Sequence, residues 1–105
     1  MIMVTTDNIP GEKITRCLGL VKGNTVRARH AGHDLMAWLR NIVGGEIVDY
    51  TKMIAESREQ ALDRLKIDAE ALGADAVVNI NFSTSYVMRR AAEVLVYGTA
   101  VLLEK

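Results

Sequence analysis

Four side chains in the first third of the sequence combine a thiol, two imidazoles and a carboxylate: Cys17, His30, His33 and Asp34. Zinc and other divalent heavy metals bind this mixture of sulfur, nitrogen and oxygen ligands. The four residues are therefore candidate metal ligands. The alternative is structural, because a single cysteine usually packs as a small apolar side chain, and His33 or Asp34 can cap a helix. No paired C-x-x-C motif accompanies them.

Arginines form a second candidate site. Arg27 and Arg29 alternate along one β-prone run, Arg16 and Lys22 lie in the run before it, and Arg89-Arg90 follows later in the sequence. Guanidinium groups bind phosphate and carboxylate groups through paired hydrogen bonds, so these cations, above all Arg16, Arg27 and Arg29, are candidate anion ligands. Ordinary ion pairs with Glu46, Asp49 or Glu93 are the alternative.

A row of short polar side chains forms a third candidate: Asn79, Asn81, Ser83 and Ser85. In a ring of subunits, such a row could line a cavity and hold a small ligand through amides and hydroxyls. The alternative is the solvated face of a sheet. The sequence offers no arrangement of nucleophile, base and acid, so we expect a protein that is not an enzyme. An enzyme with a site shared between subunits and a purely structural ring are also compatible with the sequence.

The metal and anion candidates depend on a predicted β-hairpin. Gly23-Asn24 separates two β-prone runs, residues 13–22 and 25–30, and such a pair is typical of a two-residue turn. In the predicted register Cys17 lies opposite His30, with Cβ atoms about 5 Å apart. The same register gathers the three arginines on the other face of the hairpin.

Apolar spacing predicts two helices. A short one covers about residues 34–43 and ends at Gly44-Gly45. A longer one begins at Asp49 or Thr51 and ends at Gly73. Its predicted buried stripe consists of Ile54, Ala61, Leu65, Ala69 and Leu72.

Three other segments have the patterns of strands. Residues 1–6 are apolar and β-branched, and residues 76–86 alternate so that Ala76, Val78, Ile80, Phe82 and Tyr86 share the buried face. Residues 94–103 are apolar on both faces, with Gly98 marking a bulge or a close approach. A two-layer domain covers only one face of its sheet, so a second copy of the chain is expected to cover the other.

The length of the chain fits one domain over residues 1–105. The predicted fold is α+β, with both helices on one face of an antiparallel sheet of about four strands. Thirteen basic and thirteen acidic residues cancel, so non-specific nucleic-acid binding is not expected. A single cysteine excludes an internal disulfide and fits the cytoplasm. No apolar run approaches the ~18 residues of a membrane span.

Five segments in order resemble one family: Ile9-Pro10-Gly11, LGLVKGNTVRA (18–28), LRNIVGGEI (39–47), LGADAVV (72–78) and YGTAV (97–101). The chain is similar to the YbjQ-like family of small proteins, which is named for heavy-metal binding. The resemblance implies a dodecin-like α+β subunit, assembled as a homopentamer in a ring. Cys17, His30 and His33 are not part of these segments, so a metal site built on them would belong to this chain rather than to the family.

Overall fold

The computed structural model describes residues 1–28, 46–88 and 91–105. The elements are β1 (Ile2–Met3), β2 (Ile14–Ala28), α1 (Glu46–Ala71), β3 (Ala76–Met88) and β4 (Ala91–Leu103). Within these ranges the strands form one sheet in the order β1-β3-β4-β2. The α+β class is confirmed. The sheet is mixed rather than wholly antiparallel, because β1 runs parallel to β3. The predicted short helix at 34–43 lies outside the described residues.

The predicted hairpin at Gly23-Asn24 is wrong. β2 runs unbroken from Ile14 to Ala28 and pairs antiparallel with β4 along its length. Gly23 lies in the middle of this strand directly beneath α1. A Cβ atom on Gly23 would collide with the carbonyl oxygen of Ala61 and lie 2.5 Å from the backbone nitrogen of Leu65. The glycine is therefore needed for close approach of helix and sheet, not for a turn.

The unbroken strand also changes which side chains share a face. The hairpin would have put Val21 and Val26 on the same face. In the structure Val21 is fully buried and Val26 is 58% exposed, because an odd number of positions separates them along one strand.

α1 matches its prediction closely, although it begins at Glu46. It ends as predicted at Gly73, whose φ of 75° is the left-handed conformation that glycine adopts after a helix. The buried side chains recur every three or four residues and face the sheet: Ile54, Ser57, Ala61, Leu65 and Ala69. The inclusion of Leu72 in this stripe is wrong, because the residue follows the end of the helix and is 47% exposed.

The core lies between α1 and the inner face of the sheet, the face towards the helix. Leu65 of α1 packs there with Val21, Val94 and Val96, and all four are fully buried. The helix contacts β2 and β4. The inner face is therefore covered over those two strands.

A bulge interrupts the predicted alternation of β3. Asn79 has a φ of 55°, and the pairing with β4 shifts between Val78 and Asn81. Val77 and Ile80 therefore share the inner core, so the prediction that Ile80 shares a face with Val78 is wrong. The extra residue lies opposite Gly98, where a Cβ atom would come within 2.9 Å of the Val77 side chain. The predicted role of Gly98 is confirmed.

The chain covers one end of the outer face, the face away from α1, with its own N-terminal segment. Side chains of Val4, Ile9 and Ile14 pack there against the buried group of Ala76, Val78 and Val101. At this end, the expectation that only a second copy covers β4 is wrong. Further along β4 the N-terminal segment no longer covers the outer face, and Tyr97 is 39% exposed.

Replacing Gly23 with alanine should destabilise the fold strongly. The added methyl group meets main-chain atoms of α1, which cannot rotate away, and we expect a loss of about 3 kcal/mol or more in the free energy of unfolding. Urea denaturation measures this loss. The control is Asn24→Ala at the exposed neighbouring position, which should change stability little. Equal stability of Gly23→Ala and the parent protein would contradict the close contact.

Candidate functional site

The part of the outer face that the N-terminal segment leaves uncovered mixes apolar, polar and charged groups, and we call it the open outer face. Since Val21, Gly23 and Thr25 are buried beneath α1, the residues between and beside them point the other way. The strand pairings then define the members of the open outer face: Leu20, Lys22, Asn24 and Val26 of β2; Glu93, Leu95, Tyr97 and Thr99 of β4; and Asn81, Ser83 and Ser85 of β3.

Two cross-strand rows form the centre of this surface. Tyr97 of β4 lies between Lys22 on one side and Asn81 on the other. The next row places Leu95 between Asn24 and Ser83. Neighbouring strands are about 4.8 Å apart, so the three side chains of one row lie within ~10 Å. One small molecule can contact all of them.

The side chains of these rows are of types that commonly bind small molecules. Lys22 supplies a positive charge, Tyr97 an aromatic ring and a hydroxyl, and the asparagines supply amide groups. A hydrogen bond holds the side chain of Asn81 in place, since its Nδ2 donates to the carbonyl oxygen of Asn79 at 2.9 Å. The arrangement offers charge, stacking and hydrogen bonds but no nucleophile paired with a base.

The predicted polar row is largely one surface. Asn81, Ser83 and Ser85 are exposed and share the open outer face. Asn79 departs from the row because it occupies the bulge. That the row holds a ligand stays a prediction.

The structure lacks the hairpin that was predicted to place Cys17 opposite His30. Cys17 is an exposed free thiol opposite Val101. β2 continues from Cys17 to Ala28, a span of about 36 Å at ~3.3 Å per residue, instead of turning back. His30, His33 and Asp34 lie outside the described residues, so their role as ligands stays a prediction. Within the described ranges, no three His, Cys, Asp or Glu residues are grouped to hold a metal ion.

The predicted arginine cluster is also spread out by the unbroken strand. Arg16 pairs with Leu102 near one end of β2, and Arg27 pairs with Ala92 near the other. Arg29 and Arg89-Arg90 lie outside the described residues. The hairpin that would have gathered these cations is absent, and Lys22 is the β2 cation at the centre of the polar rows. Lys22 is among the predicted anion ligands, and a prediction of β2 as one strand with Val21, Gly23 and Thr25 inward would also have placed Asn24 on its face of the sheet.

Two side chains of α1 cover the free edge of β2. The backbone N–H of Lys22 donates to Oδ2 of Asp68 at 3.1 Å, and Nη1 of Arg64 donates to the carbonyl oxygen of Asn24 at 2.5 Å. These contacts join helix and edge strand. They also occupy main-chain groups that another strand would otherwise use.

No helix in the described parts of the chain is both long and apolar enough to cross a membrane. The long helix α1 carries charged residues along its exposed side.

Comparison with known proteins gives consistent matches over almost the whole chain. The YbjQ family, described as "Putative heavy-metal-binding", matches residues 1–104. A UPF0145 protein of Methanosarcina acetivorans is 55% identical over 96% of this chain and 95% of its own length. A UPF0145 protein of Thermococcus kodakarensis is 52% identical over 100% of this chain and 93% of its own length.

A solved structure shares the fold. It is a crystal structure of a protein with unknown function of the DUF74 family from Pediococcus pentosaceus, with a TM-score of 0.71. The alignment covers 99% of this chain and 98% of that chain at 18% identity. At this identity the likeness concerns the fold alone.

Proposed function

Because the chain belongs to the YbjQ family and its described residues leave most of one face of the sheet uncovered, we propose that it is a non-enzymatic, homo-oligomeric binding domain. The open outer face is the surface on which copies meet and a ligand binds. The observation that carries the proposal is the exposure of large apolar side chains beside Lys22 on that face. The free thiol of Cys17 supports a reducing compartment such as the cytoplasm.

Self-association is supported by the apolar part of the open outer face. Leu20 is 68% exposed and Val26 is 58% exposed, although both lie on the strand whose Val21 and Thr25 side chains are buried on the inner face. Apolar side chains grouped on one surface typically mark an interface. In our proposal the assembly is a dodecin-like ring of five copies, the number that the family resemblance implies.

Sedimentation velocity at micromolar concentration should therefore show an oligomer. Val26→Glu should dissociate it, because the carboxylate would be buried in the interface without a partner. Ile67→Glu is the matched control, since Ile67 is 67% exposed on α1, and it should remain assembled. A parent protein that sediments as a monomer would refute the oligomer.

The ligand that the open outer face suits best is a small anion that also carries apolar or planar groups. The ammonium group of Lys22 attracts the charge, and Tyr97 beside it offers a ring for stacking. Asn24, Asn81 and Ser83 add hydrogen-bonding groups on the flanking strands. A ligand here would be enclosed when a second copy covers the face.

A thermal-shift titration with inorganic phosphate, citrate and benzoate tests this ligand class. An anion that binds only the folded protein stabilises it by about 2.7 kcal/mol at a hundred times its Kd, so the melting temperature should rise by several degrees. Lys22→Met should abolish the rise, whereas Lys66→Met on the exposed side of α1 should not. An equal rise in the Lys22→Met protein would exclude this site, and no rise with any anion would exclude the ligand class.

A heavy-metal ion is the second candidate ligand. The exposed free thiol of Cys17 is the observation in its favour, together with the description of the family. A complete coordination shell needs further ligands. Because about 36 Å of strand separates Cys17 from Ala28, they would come from neighbouring copies, as His30, His33 and Asp34 or as further Cys17 residues.

Calorimetric titration with zinc, copper and nickel chlorides should give a binding isotherm if this candidate is right. The heat should disappear in Cys17→Ala, because the thiolate is the strongest ligand of the set. Thr15→Ala, at an exposed position of the same strand, serves as the control. Identical isotherms for Cys17→Ala and the parent protein would remove Cys17 from the site.

A further inference from the structure

The open outer face carries two charges of opposite sign in different cross-strand rows. Lys22 pairs with Tyr97 in one row. Glu93 lies between Val26 and Ser85 in another row, nearer the far end of the sheet. Four positions of β4 separate Glu93 from Tyr97, and one strand spacing separates Tyr97 from Lys22. The backbones of the two charged residues are therefore about 14 Å apart.

Neither charged side chain has a partner among the described residues. Within residues 1–28, 46–88 and 91–105, the ammonium group of Lys22 and the carboxylate of Glu93 form no ion pair or hydrogen bond. The distance between them is too large for the two to pair with each other. Glu93 is half-buried, so its carboxylate loses part of its hydration without compensation. A cationic group beside Glu93 would compensate for that loss.

The surroundings of Glu93 suit a primary ammonium group. Such a group has three N–H donors, and the two carboxylate oxygens and the Ser85 hydroxyl are three acceptors. Ser85 is exposed and lies directly across from Glu93 on β3.

The row between the two charges is neutral. Leu95 lies there between Asn24 and Ser83. An apolar chain or ring can contact Leu95, and the amide and hydroxyl can bind polar atoms beside it. Along the open outer face the order is therefore a cation, a neutral row and an anion.

We propose that the open outer face binds an extended zwitterion, whose anionic group lies at Lys22 and whose primary ammonium group lies at Glu93, with an apolar segment across Leu95. The assignment rests on the proposed anion site and adds a second charge and a length to its ligand. A simple anion leaves Glu93 without a partner. A short zwitterion cannot reach both charges, because about 14 Å separates their backbones.

Calorimetric titration of the full chain with octanoate and 8-aminooctanoate tests the assignment. The two molecules share a carboxylate and an alkyl chain and differ by the ammonium group. The parent protein should bind 8-aminooctanoate more tightly than octanoate or the shorter 4-aminobutyrate. Glu93→Gln removes the charge and keeps the size of the side chain. It should weaken 8-aminooctanoate about tenfold or more and change octanoate by less than about twofold.

Two further variants complete the comparison. Glu70→Gln on the exposed side of α1 is the matched control and should leave both affinities unchanged. Lys22→Met should weaken both ligands, because both place their carboxylate there.

The outcomes separate this assignment from the anion site on which it rests. Equal affinity of the parent protein and Glu93→Gln for 8-aminooctanoate would overturn the zwitterion alone, provided that octanoate or benzoate binds. Failure of every anion to bind the parent protein would overturn both proposals. Sedimentation velocity checks the variant, and dissociation of Glu93→Gln would place Glu93 in a contact between copies and likewise overturn its role in the ligand site.

Discussion

The contact between α1 and Gly23 determines which surfaces of this protein are covered and which are free. The carbonyl oxygen of Ala61 lies where a side chain of residue 23 would begin, so the helix packs main chain against main chain. This close approach brings Asp68 and Arg64 to the edge of β2 and buries the inner side chains of β2 and β4. The outer half of β3 and most of the outer face are left without cover from the described residues.

The inner core therefore stabilises the fold, whereas the proposed binding surface lies on the outer face of the sheet. Val21, Leu65, Val94 and Val96 are completely buried in one layer between helix and sheet. A small group around Val101 is closed by the N-terminal segment. Between this group and the far end of the sheet, packing among the described residues does not explain why apolar side chains are exposed beside polar ones. The proposed self-association would account for the exposed leucine and valine residues and for the polar rows.

The sequence predicts features that depend on local pattern and misses those that depend on a partner element. α1 is predictable because a helical apolar stripe and a terminal glycine each have one common meaning, and Gly98 is predictable because a glycine in an apolar strand signals close contact. The pair Gly23-Asn24 is compatible both with a turn and with a strand on which a helix packs closely. Only the position of α1 in the structure distinguishes the two. The bulge at Asn79 cannot be predicted from the sequence either, because apolar and polar residues alternate through this position without interruption.

Two of the predicted sites depended on the interpretation of Gly23-Asn24 as a turn. Pairing Cys17 with His30, and gathering Arg16 with Arg27, both required the hairpin, so both arguments fail with it. The polar row on β3 required only the alternation beyond the bulge, and it is found on one face. Lys22 gains its place beside Tyr97 from the long-range pairing of β2 with β4, which local pattern does not contain.

The central claim is that the open outer face is buried between copies in the working protein, and hydroxyl-radical footprinting with mass spectrometry measures this burial directly. Leu20 on that face and Ile67 on α1 are almost equally exposed in the single chain, at 68% and 67%. Their intrinsic reactivities are similar, so they form a matched pair. The account predicts that Ile67 is oxidised readily while Leu20 is strongly protected at micromolar concentration. Equal oxidation of the two residues would contradict it.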